Sequence, residues 1–152
     1  SQIERALKWT KQAGIRSLGY FMIGFPFETE ETIKETIDFA LRLPLDDFKM
    51  NILTPFPGSE LYRTAHKFGT FNSDWRKMNM YVEPCFVPAG LTKEKILALR
   101  KNAFRRFYLR NRIIFSYLGR IKNPSQIFKL YLGAKSLLKL WLKNGARKRK
   151  ND

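Results

Sequence analysis

The chain has 152 residues, 44% hydrophobic and 14% aromatic, which suffices for one packed domain and is too little for two large ones. A single cysteine, Cys85, and a single histidine, His66, exclude a disulfide framework and any self-contained thiolate or histidine-rich metal site. The net charge of +16 is uneven: residues 1–92 balance at 11 Lys/Arg and 11 Asp/Glu, while residues 93–152 hold 18 Lys/Arg against Glu94 and Asp152. That step is the strongest internal boundary. No run of about eighteen apolar residues is present, so no membrane-spanning helix is expected. Ser1–Thr10 lacks the apolar core of a signal peptide. A reducing, cytoplasmic setting fits the cysteine usage.

In chain order, Ile3, Ala6, Leu7 and Ala13 predict one apolar helical face, with Gly14 stopping the helix in the C′ position. Ser17 to Gly24 is a nearly continuous apolar run, which predicts a strand buried on both faces. Gly24 to Thr29 reads as a turn with Thr29 as the next N-cap, and Glu30 and Glu31 complement the helix dipole. Ile33, Ile37, Ala40 and Leu41 form that helix's inner face, and Pro44 ends it. Phe48 to Leu53 reads as a second strand, parallel to the first through one βαβ crossover.

Gly58 to His66 predicts a short helix, and Lys67 to Leu91 an irregular aromatic-rich loop over a functional face. Thr92 caps a helix predicted from Lys93 to about Leu109, with Ile96, Leu99, Ala103, Phe104 and Phe107 facing inward. Helices over residues 111–121 and 124–142 follow, and residues 144–152 read as a disordered basic tail. The expected layout is therefore residues 1–91, a basic helical appendage over residues 92–143, and the tail. Two parallel strands alone cannot bury an apolar strand on both faces. Further strands are expected before residue 1, making the chain the C-terminal part of a larger α/β enzyme.

Ligands of parallel sheets gather at the strands' C-terminal ends, here Gly24-Phe25-Pro26 and the segment from Asn51 to Gly58. The strings GYFMIGFPFETEETIKETIDFA and NILTPFPGSELYRTA, followed by Gly69, Trp75 and Pro88-x-x-Leu91-Thr92, resemble the radical S-adenosylmethionine superfamily. The resemblance covers residues 1 to about 118 and is nearest to the cobalamin-binding-type branch. It implies an α/β fold, the C-terminal portion of a partial (βα)6 TIM-type barrel carrying strands five and six, followed by an α-helical appendage. It also implies S-adenosylmethionine and a 4Fe–4S cluster held by a Cys-x3-Cys-x2-Cys loop, with cobalamin as a further candidate cofactor. Neither cluster nor cofactor would be bound by this chain alone, and no catalytic or metal residue is expected in it. Ile23, Gly24, Pro26, Asn51, Ile52, Leu53 and Thr54 would line the adenosine side, partly through backbone. The family has glycine where this chain has Phe27, which either alters the turn or points outward.

Other candidates carry plainer readings. Glu28 contacts a ligand or, more simply, caps a helix start; Asn51 reaches a cofactor or satisfies local backbone. His66 reads as a helix-end dipole partner, and Cys85 as a small packed residue. Trp75 and Tyr81 shape a pocket or, more simply, pack the loop. Over residues 124–143 an apolar stripe including Leu130, Leu137 and Trp141 lies beside Lys135, Lys139 and Lys143. That pattern suits an anionic membrane surface as a peripheral partner. The alternative function is a non-catalytic module that binds lipid, nucleic acid or a partner subunit. No nucleic-acid motif accompanies the charge. The other expected partner is the N-terminal part of the barrel.

Overall fold

The computed structural model describes residues 1–78 and 83–119. The expected helix over residues 124–142, its membrane-facing stripe, the tail and Tyr81 lie outside the described residues. Helix α1, Gln2–Gln12, opens on a capping box between Ser1 and Glu4. It closes as a Schellman motif: the Gly14 and Ile15 amides donate to the Lys11 and Thr10 carbonyls, with Gly14 at φ +72°. The stop is the one the sequence predicts, but no residue of α1 is buried. Of its apolar face only Leu7 is half-buried, and Ile3, Ala6 and Ala13 are exposed among the described residues.

Strands β1, Leu18–Ile23, and β2, Asp47–Ile52, form a two-stranded parallel sheet, with Gly19 opposite Phe48 and Ile23 opposite Ile52. Asp46 pins their starts together, its Oδ2 accepting from the Ser17 amide at 3.0 Å. Between them runs α2, Glu30–Arg42, capped by Thr29 and ended by Leu43 in extended conformation before Pro44. Helix α4, Lys93–Tyr108, starts at the Thr92 cap and packs on β2 and α2. Helix α5 spans Asn111–Leu118.

Strand alternation assigns one sheet face to the core. Phe48, Met50, Ile52 and Ile23 lie there, fully or almost fully buried with Ile33 and Ile37 of α2 and Ile96 and Phe107 of α4. Burying each such aliphatic side chain contributes about 1.5–3 kcal/mol. At the centre, Phe48 stacks on Phe107 at 4.9 Å and meets Phe104 and Phe21 at 5.4 and 5.5 Å. Burial of β1 on both faces is not what the structure shows: Leu18, Tyr20 and Met22 on its other face are exposed.

The described parts of residues 67–91 are more regular than the sequence suggests. A short helix α3, Glu60–Thr64, and a 3-10 turn Ala65–Lys67 lead into an antiparallel pair, β3 Gly69–Phe71 with β4 Phe86–Pro88. The pairing is close at Gly69, where an added Cβ would stand 2.0 Å from the Val87 carbonyl oxygen. Three-residue strands carry too little periodicity to be read from sequence. The pair builds a second small core in which Leu53, Ala65 and Phe86 meet Leu61, Phe68 and Phe71.

Two compact units divide the chain, Ser1–Ile113 and Ile114–Asp152. Helix α4 thus belongs to the first unit, although the charge step sets it apart from residues 1–91. Some of the basic excess serves this packing. Lys95 pairs with Glu30 at 2.6 Å and Arg106 with Asp38 at 2.8 Å, joining α4 to α2. Lys34 and Lys95 hold the Glu30 carboxyl below the usual carboxylate range. Arg110 Nη1 donates to the Leu41 carbonyl at 2.7 Å, in the last turn of α2, where helix carbonyls lack partners. Arg112 donates to the Leu45 carbonyl at 2.7 Å.

Candidate functional site

The C-terminal ends of β1 and β2 lie side by side, joined by the Leu53 amide donating to the Ile23 carbonyl at 2.8 Å. Beyond β1 the chain turns back at Phe25-Pro26-Phe27-Glu28, closed by the Glu28 amide donating to the Phe25 carbonyl at 3.1 Å. Pro26 suits the second position of such a turn and a positive φ the third. The third residue is Phe27, at φ +66°, the one non-glycine residue with positive φ among those described. The side chain points outward, 82% exposed, and meets Phe68 edge-on at 5.2 Å. The turn keeps the form that a glycine would adopt, and Phe27 bears the backbone cost. Phe27→Gly is expected to be more stable than Phe27→Ala by about 1 kcal/mol, because both lose the ring but only alanine keeps the left-handed penalty. Urea unfolding of the two variants measures that difference.

Glu28 completes the turn. Its Oε2 accepts from the Gly24 amide at 2.5 Å and the Phe25 amide at 2.8 Å. The helix-start cap expected of Glu28 is supplied by Thr29 instead, and Glu28 holds the amides at the end of β1. Gly24 is buried at φ +91°, which demands glycine for its conformation.

The remaining predicted site residues divide by strand parity. The Ile23 and Ile52 side chains lie in the helix-packed core, fully buried, so only their backbone can face a ligand at the strand ends. Leu53 packs in the second core. Thr54 is buried, and its hydroxyl donates to the Ile52 carbonyl at 3.3 Å. Pro26 is half-buried within the turn. Asn51 alone of the β2 candidates lies on the other sheet face, opposite Met22 in the register.

That open face carries residues the sequence reading passed over. Leu18, Tyr20 and Met22 stand opposite Asp47, Lys49 and Asn51. The signal was in β2 itself, where DFKMNI alternates polar and apolar residues with period two. Lys49 Nζ sits 5.6 Å from the centroid of the Tyr20 ring. Tyr108 donates to Asp47 Oδ1 at 2.5 Å and also to the Phe48 carbonyl at 3.0 Å, tying the start of β2 to the end of α4.

Trp75 is 72% exposed in a 3-10 turn and is not packed into a core of the described residues. His66 is exposed just past α3. Cys85 is buried, as its reading as a packed residue expects, and burial pushes its thiol up while contact with Thr54 works against that shift. Disulfide reagents are therefore expected to label Cys85 only on unfolding, so that its rate in native buffer follows the opening of the fold. Fast labelling of the folded chain would contradict this. Among the described residues no group of three or more His, Cys, Asp or Glu is placed to hold a metal, and no helix is long and apolar enough to cross a membrane.

No protein-family model matches the sequence. The chain is nevertheless similar to a part of methyltransferases and of a cyclase. It is 36% identical over 110 residues to an uncharacterized methyltransferase of Pyrococcus horikoshii, an alignment covering 72% of this chain and 24% of that protein. It is 30% identical over 115 residues to the anaerobic magnesium-protoporphyrin IX monomethyl ester cyclase of Cereibacter sphaeroides, covering 75% of this chain and 18% of the cyclase. With the bacteriochlorophyllide d C-12(1)-methyltransferase of Chlorobaculum tepidum it shares 33% identity over 79 residues, 52% of this chain and 17% of that enzyme. The chain thus spans about a quarter or less of the length of the curated relatives it matches.

Proposed function

We propose that this chain is the C-terminal part of a radical S-adenosylmethionine iron–sulfur enzyme, with β1 and β2 as the fifth and sixth strands of a partial TIM-type barrel. The observation that carries it is the open face of the sheet. Apolar Leu18, Tyr20 and Met22 stand exposed on a parallel strand whose other face is sealed by helices. Parallel strands normally have both faces covered. In a barrel that open face is the inner wall, and strands supplied from outside this chain close it. The partial relatives and the strand-end motifs support the same assignment.

S-adenosylmethionine and a 4Fe–4S cluster, bound in the whole protein, would supply 5′-deoxyadenosyl radical chemistry. The cluster needs several cysteines and this chain has one, buried, so the ligands would come from elsewhere in the whole protein. Glu28 fixes the turn that ends β1, and Gly24 brings the backbone close to the wall's upper rim. Met22 and Asn51 offer the side chains nearest that rim on the inner face, beside the adenosine. Ile23, Ile52, Leu53 and Thr54 hold the rim in place from behind. Where the relatives' names state a substrate, it is a magnesium-protoporphyrin ester or a bacteriochlorophyllide. A flat macrocycle is accordingly the substrate class we assign. Cobalamin as a second cofactor follows from the motif resemblance. Peripheral attachment to anionic membranes through residues 124–143 is a further part of the proposal, testable by co-sedimentation with anionic vesicles.

The test is anaerobic iron–sulfur reconstitution of the whole protein, with detection of 5′-deoxyadenosine after addition of S-adenosylmethionine and reductant. A cluster and the nucleoside are expected from the whole protein, and neither from residues 1–152 alone. A whole protein that forms no cluster and no nucleoside would sink the proposal.

A further inference from the structure

We infer that Lys49 recognises a carboxylate of the substrate on the open β1–β2 face. The inference rests on the barrel and macrocycle proposed above. The parallel register sets Lys49 opposite Tyr20, between the pairs Leu18–Asp47 and Met22–Asn51, so the cation faces the aromatic and apolar side of β1 and is flanked on its own strand by Asp47 and Asn51. The nearest carboxylate in sequence on that face is Asp47. Its Oδ1 is taken by the Tyr108 hydroxyl at 2.5 Å and the Phe48 amide at 2.8 Å. Asp46 is likewise turned away, its Oδ2 holding the Ser17 amide. Among the described residues Lys49 makes no ion pair.

A lone ammonium on a wall closed from water is unfavourable unless an anion joins it. Tyr20 and Met22 present a flat, polarisable surface that suits the plane of a ring system. Tyr20 also steadies the ammonium by a cation–π contact, which leaves its N–H donors free to meet a carboxylate. A planar ligand with a carboxylate at its edge satisfies both features at once.

The experiment compares two probes on the whole protein: protoporphyrin IX, a flat diacid, and its dimethyl ester, the same ring without charge. Binding is read from the Soret band at equal detergent. The wild-type protein is expected to bind the diacid more tightly than the ester. Lys49→Ala is expected to weaken the diacid about tenfold and the ester less than about twofold, with Lys49→Arg restoring most of the preference. Lys34→Ala, which removes an exposed lysine of α2, keeps the wild-type preference. Circular dichroism shows that each variant is folded. Equal binding of diacid and ester by the wild type, or no binding of either, overturns the inference, as does an unchanged preference in Lys49→Ala. A carboxylate of the same protein already paired with Lys49 would produce the first of these results. Failure of the barrel enzyme itself shows separately, as absence of 5′-deoxyadenosine from the reconstituted wild type.

Discussion

Phe48→Ala is expected to destabilise the first unit by about 3–5 kcal/mol, the range for emptying a buried aromatic site. Phe48 is fully buried at the centre of β2, stacked on Phe107 at 4.9 Å and flanked by Phe104 and Phe21. Truncation removes the ring's own burial and three aromatic contacts, and it leaves a cavity between rigid elements that cannot easily collapse. Marginally stable domains hold only about 5–15 kcal/mol in total, so much of the margin goes with one side chain. Urea unfolding followed by circular dichroism gives the loss directly. Should the alanine variant fail to fold, Phe48→Leu keeps most of the volume and is expected to lose about 1–2 kcal/mol. Phe56→Ala, at an exposed loop position, is the control and should stay within about 0.5 kcal/mol. A Phe48→Ala loss as small as the control's would show that the stack is not the core of this unit.

Glu28→Ala is expected to cost about 2–3 kcal/mol, through hydrogen bonds rather than packing. One carboxylate oxygen serves the amides of both Gly24 and Phe25. Gly24 is buried, so water replaces the lost acceptor poorly. Glu28→Gln keeps an acceptor of the same reach without the charge, and about half of the loss should return. Amide hydrogen exchange separates this from a general loss of stability: the Gly24 and Phe25 amides should lose protection before the β1–β2 ladder does. If both amides exchange as in the wild type, the clamp is not what orders the turn. In the proposed enzyme this turn borders the cofactor, so Glu28 is a positioning residue there.

Local chemistry made much of the framework readable. Gly14, Thr29, Pro44 and Thr92 punctuate α1, α2 and α4 because caps and breakers act through the backbone of their nearest neighbours. The apolar faces of α2 and α4 follow from period 3.6, and Ile33, Ile37, Ile96 and Phe107 are buried as that period requires. The same rule went further than the structure at α1, whose face has no fully buried residue among those described and only Leu7 half-buried: amphipathicity states what a helix could bury, not what is there to bury it. The β3–β4 pair escaped because two three-residue strands seventeen positions apart pair through tertiary packing around Phe86, with little local signal.

Motif strings located the candidate site at the ends of β1 and β2 but treated its residues as one lining. Tertiary structure divided them. Ile23 and Ile52 went to the helix side, Leu53 and Thr54 to the support of the hairpin, and Asn51 to the open face with Met22, Tyr20 and Lys49. By itself the sequence determined α1, α2 and α4, the parallel strand pair and the turn between them, since each depends on residues close along the chain. Which sheet face is sealed, and that Phe27 holds a left-handed turn with Glu28 clamping it, was decided only in three dimensions. The reason is that a strand's two faces are equivalent until helices from elsewhere in the chain, here α2 and α4, cover one of them.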